Sequence, residues 1–223
     1  MALADQLIPE ADNGEQNLSQ KAYEIILNNI INRQFAVNTV LQERRLAEML
    51  HISRTPVRNA LSRLENEGFI ARHGGRTSVV KEFSIQELIE TLHIRRVLEA
   101  EATRLATGKI PLRELDTLQV LIEGLLIKKV PLTDDDWAAD ARIHDLITSH
   151  CGNKMMADYI KTLRLKTHMF NLSATPERFE EGHREHLQII QALRDNQPEV
   201  AQRLVAAHID HIRDGIISRL NQF

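Results

Sequence analysis

One change of hydrophobic period, later reversed, most constrains what this chain can become. From Ser19 to Glu67 apolar residues recur at helical spacing. Between Phe69 and Val80 the spacing shortens to that of strands, around the turn His73-Gly74-Gly75. From Ser84 onward the helical period returns, broken only where Gly or Pro intervenes. A stripe with a repeat of 3.6 residues does not sit as a strand, so a mainly α fold with one short β-ribbon is expected.

The punctuation divides the first part into three helices. Tyr23, Ile26, Leu27, Ile30 and Ile31 give an amphipathic helix over 19–33; Leu46, Ala47 and Leu50 give a second over 43–50; Val57, Leu61 and Leu64 give a third over 54–67. Ser53 stands where an N-cap belongs, Pro56 falls in the first turn where its missing N–H costs little, and Gly68 supplies the stop. Phe69–Ala71 and Thr77–Val80 then read as a two-stranded hairpin. Three helices and a hairpin are the plan of a winged helix-turn-helix over 18–81. Residues 1–17 carry no apolar period and read as a mobile tail.

Beyond the connector 81–83, Ser84-Ile-Gln-Glu87 has the pattern of a capping box. Six helices are predicted after it, over 84–107, 111–128, 133–150, 153–172, 176–195 and 197–220, separated by Gly108 and Pro111, Pro131, Gly152, Pro176 and Pro198. Residues 84–223 therefore read as an antiparallel all-helical bundle. One cysteine, Cys151, allows no internal disulfide; no stretch has the length and apolarity of a membrane span, and the N-terminus has no signal pattern, so a cytoplasmic protein is expected.

The formal charge of −3 hides an asymmetry. Residues 41–81 hold eight Lys or Arg against four Asp or Glu, whereas 82–223 hold eighteen against twenty-two. The basic segment contains the run Ser53-Arg54-Thr55-Pro56-Val57-Arg58, which puts two guanidinium groups and two hydroxyls at the start of the third helix. In a helix-turn-helix that end enters the major groove, where arginine matches the paired acceptors of guanine. Arg44 on the preceding helix is placed for the backbone or a base edge, and the wing turn His73-Gly74 for the minor groove.

These residues closely resemble the winged helix-turn-helix of the GntR family of bacterial regulators. The resemblance rests on Leu41-x-Glu43-x-x-Leu46-Ala47 followed by Ser53-Arg54-Thr55-Pro56-Val57-Arg58-x-Ala60-Leu61-x-x-Leu64-x-x-Glu67-Gly68. Carried over by position, it marks Arg44, Arg54, Thr55, Arg58, His73 and Gly74 as contacts to double-stranded operator DNA.

The helical half carries a different anomaly. Trp137, Asp140, His144, Ile147 and Cys151 fall at alternating steps of three and four, which places Asp140 and His144 on an inward stripe. His186 aligns with Ile190 and Leu193, and His208 with Leu204 and Ile212. An ionised carboxylate buried without a partner is too costly to persist. A divalent metal satisfies one carboxylate and three imidazoles together, with zinc, nickel, manganese and iron all suited to such donors. The other reading pairs Asp140 with Arg95 and leaves each histidine hydrogen-bonded in the core; His183 and His211 stand by as alternative ligands or outer partners.

The pattern Asp140-x-x-x-His144, Gly152-Asn153, Glu185-His186-x-x-Ile189-Ile190-x-Ala192-Leu193 and His208 resembles the FCD ligand-binding domain of the FadR branch of the same family. The resemblance implies Asp140, His144, His186 and His208 as metal ligands, and six helices resemble the shorter VanR-like subgroup. Arg95 and Glu99 share the inward stripe of the first bundle helix. There Arg95 either grips a carboxylate effector or simply pairs with Glu99. The expected protein is a homodimeric, non-enzymatic transcription regulator, a repressor whose operator affinity follows a small organic acid. A metal-dependent enzyme with a winged interaction module, or a sensor of the metal itself, are the rival readings.

Overall fold

The computed structural model describes residues 11–74, 77–128, 134–169 and 178–220. The chain divides into two compact units, Met1–Phe83 and Ser84–Phe223. In the first, α1 (Ala11–Ile31) packs on α3 (Arg54–Asn66), and α2 (Glu43–Leu50) joins α3 through a tight turn. His51 makes that turn in the left-handed region (φ 54°), its N–H directed at the carbonyls of Ala47 and Glu48, so α2 stops there. Ile26, Val57, Leu64 and Phe69 are fully buried and form the centre of this unit.

Two expectations need correction here. The segment read as a tail to residue 17 is helical from Ala11 onward; once the apolar stripe of α1 has packed, each upstream residue adds a backbone hydrogen bond at the low cost of propagation and needs no apolar side chain. Residues 1–10 lie outside the described residues. The hairpin of β2 (Ile70–His73) and β3 (Thr77–Val80) has a third member, β1 (Val40–Leu41), giving the antiparallel order β1-β3-β2. Two residues carry no readable period, so β1 leaves no trace in the sequence. Ile70 pairs with Val80 and His73 with Thr77, and Gly74 takes φ +59° at the turn, where a side chain would be strained. Gly75, also assigned to that turn, lies outside the described residues. Ser53 holds the extended N-cap conformation of α3, but its side chain makes no capping bond.

The second unit is built of α4 (Ile85–Ala106), α5 (Leu112–Lys128), α6 (Asp134–His150), α7 (Lys154–Met169), α8 (Phe179–Arg194) and α9 (Pro198–Leu220). Ser84 and Glu87 form the capping box, each side chain meeting the other's backbone N–H. α4 is the central element, packed against α6, α7 and α9, while α8 lies against α5 and α9. Leu88, Leu92, Leu118, Ile122, Ile143 and Ile190 belong to one continuous buried cluster. α4, α6, α8 and α9 thus bring their inward faces to a common interior. The predicted helical boundaries at 133, 170–172 and 176–177, and the side chain of Trp137, lie outside the described residues. No helix among the described residues is long and apolar enough to cross a membrane.

Candidate metal centre and nucleic-acid interface

Within the bundle, Asp140 and His144 come from α6, His186 from α8 and His208 from α9. One donor atom from each lies within 4.8 Å of all the others. All three imidazoles are buried, with His186 only 2% exposed, whereas Asp140 keeps 26% of its side chain accessible. Oδ1 of Asp140 is 3.7 Å from Nε2 of His144 and 3.6 Å from Nε2 of His186; Oδ2 turns away and accepts from Arg164 on α7 at 2.8 Å.

The outer nitrogens explain how the rings are held. Nδ1 of His144 lies 2.6 Å from Oε2 of Glu99, whose Oε1 accepts from Nε of Arg95 at 2.6 Å. Nδ1 of His208 lies 2.7 Å from Oε2 of Glu185. Glu185 also accepts from Arg178 and pairs with Nδ1 of His211, which is exposed. An ionised carboxylate only accepts, so these contacts place a proton on Nδ1 of His144 and His208 and leave their Nε2 atoms as lone-pair donors. Those two Nε2 atoms, and both ring nitrogens of His186, are buried with no hydrogen-bond partner.

Three buried lone-pair nitrogens, one from each imidazole, are costly unless something electrophilic completes them, the second nitrogen of His186 carrying that ring's proton. The four donors lie close enough together that small side-chain shifts would bring them to one ion. The donor set fits a divalent metal. The electrostatic surroundings agree: burial pushes the His186 imidazolium well below its ordinary range, reinforced by His208, and burial together with Arg164 lowers His144. Burial alone would raise the Asp140 carboxyl, but His144, Arg164, His186 and His208 outweigh it and hold it low. Glu185 is likewise brought down to about 2, the cost of burial being overcome by His208 and Arg178. A lowered His144 and His186 beside an ionised Asp140 suit metal ligation, which needs neutral imidazole and deprotonated carboxylate.

Asp140 therefore pairs with Arg164, not Arg95. Arg95 is 4% exposed and engaged by Glu99, one residue removed from the ligand His144. His183 is buried beside the Phe179 ring and does not belong to the four-donor cluster. Sequence reading missed Arg164, Glu185 and the link from Glu99 to His144. The clue to Glu185 was available, since it directly precedes His186.

The first unit presents the other surface. Arg44, Arg54, Thr55, Arg58, His73 and Gly74 are all exposed. Arg44, Arg54 and Arg58 line a cleft of about 580 Å³ together with Glu43, Arg72, Thr77 and Ser78. Arg44 pairs with Glu48, and Arg72, which was not singled out beforehand, pairs with Glu65. Glu43 accepts from both Arg54 and Arg58.

A helix-turn-helix with an arginine-lined face, followed in the same chain by a helical bundle with a buried cluster of one carboxylate and three imidazoles, fits one class: the one-component transcription regulators. Comparison with known proteins places the chain within it. The family model for bacterial regulatory proteins of the gntR family matches residues 18–80, and that for the FCD domain matches residues 90–211. The HTH-type transcriptional repressor RspR of Escherichia coli strain K12 is 26% identical over 211 residues, covering 92% of this chain and 91% of RspR. E. coli McbR/YncC has the same fold at a TM-score of 0.73 and 21% identity, covering 92% of this chain and 97% of McbR. The metal-free FCD domain of TM0439 aligns at a TM-score of 0.51 and 17% identity, covering 64% of this chain and 99% of that domain. The chain belongs to the GntR family of transcription regulators and carries an FCD domain.

Proposed function

We propose that this regulator binds a double-stranded operator through Arg54, Thr55 and Arg58 in the major groove, with Arg44 on the flanking backbone and His73-Gly74 at the minor groove. One reading helix covers too few base pairs for specificity, which supports a homodimer on paired half-sites in the cytoplasm. The second unit takes one divalent ion, zinc or nickel before manganese or iron, on Asp140, His144, His186 and His208. When bound, the ion supplies positive charge and coordination positions for an organic acid. Arg164, paired directly with Asp140, and Arg95, which reaches His144 through Glu99, add positive field. Effector binding shifts the bundle between states that differ in operator affinity, and the sign is repression relieved by effector.

The observation that carries this reading is the convergence of buried, unpartnered Nε2 atoms on the Asp140 carboxylate. Elemental analysis of protein purified without a histidine tag tests it: one equivalent of a transition metal is expected for wild type and none for His186→Ala. Wild-type protein that stays metal-free after incubation with zinc, nickel, manganese and iron salts refutes the site. For DNA, Arg58→Ala should lose about 1–3 kcal/mol of operator discrimination in mobility-shift titration. Unchanged sequence preference would reject the assignment.

A further inference from the structure

Glu43 is acidic, yet it lines the same cleft as the arginines. It is the first residue of α2, and both its carboxylate oxygens point at the third helix. Arg58 donates to it along one edge, from Nε to Oε1 and from Nη2 to Oε2, each at 3.1 Å. Arg54, one turn earlier on the same face, donates Nη2 to Oε2 at 3.2 Å. These are exposed contacts, with the Arg54 and Arg58 side chains 62% and 55% accessible, and ion pairs of that kind add little to stability. Near a phosphate backbone, moreover, a carboxylate repels. On affinity grounds alone this acid is in the wrong place.

The edge it occupies suggests why it is there. A guanidinium has two bidentate faces: the side face of Nε and one Nη, and the end face of the two Nη groups. Glu43 takes the side face of Arg58, which leaves the end face of Nη1 and Nη2 directed away from the main chain, with no further hydrogen-bond partner among the described residues. That end face is suited to the O6 and N7 acceptors of guanine. Without an acceptor between them, two guanidinium groups four residues apart on one helix face repel and sample many rotamers, each able to meet a phosphate as readily as a base.

We propose that Glu43 is a positioning residue for operator readout: it holds the Arg54 and Arg58 guanidiniums in one orientation and, as a negative charge facing DNA, suppresses binding to non-operator duplex. This rests on the reading that Arg54 and Arg58 reach base edges. Two opposed effects follow from one side chain. Removing the charge strengthens sequence-independent binding, while releasing the arginines weakens discrimination. A residue that only capped α2, or only steadied the fold, would do neither.

The test uses the full-length protein and an operator selected by the wild type from a random duplex pool, with shuffled duplex as the non-specific probe. Glu43→Gln keeps the shape and removes the charge; Glu43→Asp keeps the charge at the helix start but withdraws it by one methylene. For Glu43→Gln, affinity for shuffled duplex should rise several-fold and the operator-to-shuffled ratio should fall about fivefold or more. For Glu43→Asp the ratio should fall while shuffled-duplex affinity stays at the wild-type value. A ratio within twofold of wild type in both variants, with Arg58→Ala impaired, overturns the role of Glu43 alone. A loss in Glu43→Gln but not in Glu43→Asp reduces it to charge and overturns positioning. If Arg54→Ala and Arg58→Ala both keep the wild-type ratio, the base-reading assignment falls and this proposal with it.

Discussion

Glu99 is the residue whose loss should be felt most in the bundle. It lies on α4 at 2% exposure, with Arg95 on one oxygen and His144 on the other, and both partners are buried. Glu99→Gln preserves shape while leaving the Arg95 guanidinium in the interior without a counter-charge. Breaking one side of a buried pair costs about 3–5 kcal/mol, because the remaining charge cannot regain its hydration. With an unfolding entropy of about 2.1 cal/mol/K per residue, that loss lowers the Tm of a unit of about 140 residues by roughly 10–17 °C. Trp137, the single tryptophan, lies in α6, so its fluorescence follows this unit and not the other. The measurement is a urea titration and a thermal scan of chelator-treated protein. The double variant Arg95→Met with Glu99→Leu should recover most of the stability, since an apolar pair fills the same space, but not metal affinity, since His144 has then lost the acceptor that orients it. A Glu99→Gln protein within 1 kcal/mol of wild type would refute the claim that Arg95 depends on this carboxylate.

Three further outcomes are expected. Chelation should lower the unfolding free energy of wild type and zinc should restore it, by about 2.7 kcal/mol when free ion stands at a hundred times its Kd, and His186→Ala should show neither response; equal melting with and without ion would refute metal binding to the folded state. Phe69→Ala, at a fully buried position, should cost the first unit about 3–5 kcal/mol by circular dichroism while Trp137 fluorescence reports an unchanged second transition. Ser84→Ala removes the reciprocal cap of α4 and should cost about 1 kcal/mol, whereas Ser53→Ala, where no capping bond is made, should cost measurably less.

What was legible in the sequence and what was not divide along a physical line. Elements set by neighbours in the chain could be read: the stripes of α3 and α8, the Ser84 and Glu87 box, and the placement of Asp140 and His144 one turn apart. Features set by partners far along the chain could not. β1 is two residues long and exists because β3 offers it a ladder; Arg164 is one more basic residue on α7 until the fold brings it to Asp140, twenty-four positions away. The choice between Arg164 and Arg95 as partner of Asp140 was open for the same reason, since helical period gives the face a residue occupies but not which neighbouring helix it meets. Glu43 stood inside the very motif that marked the helix-turn-helix, yet its two arginines lie eleven and fifteen residues on, in the next helix.

The four donors are drawn from three separate helices, spread from position 140 to position 208. An ion gripped by all of them acts as a reversible cross-link over a third of the chain, stapling α6, α8 and α9 in a single act. Starvation for that ion would then loosen three helices together and expose the bundle to proteases, so that cellular lifetime of the regulator, and not merely its grip on DNA, would track how much metal the cell holds.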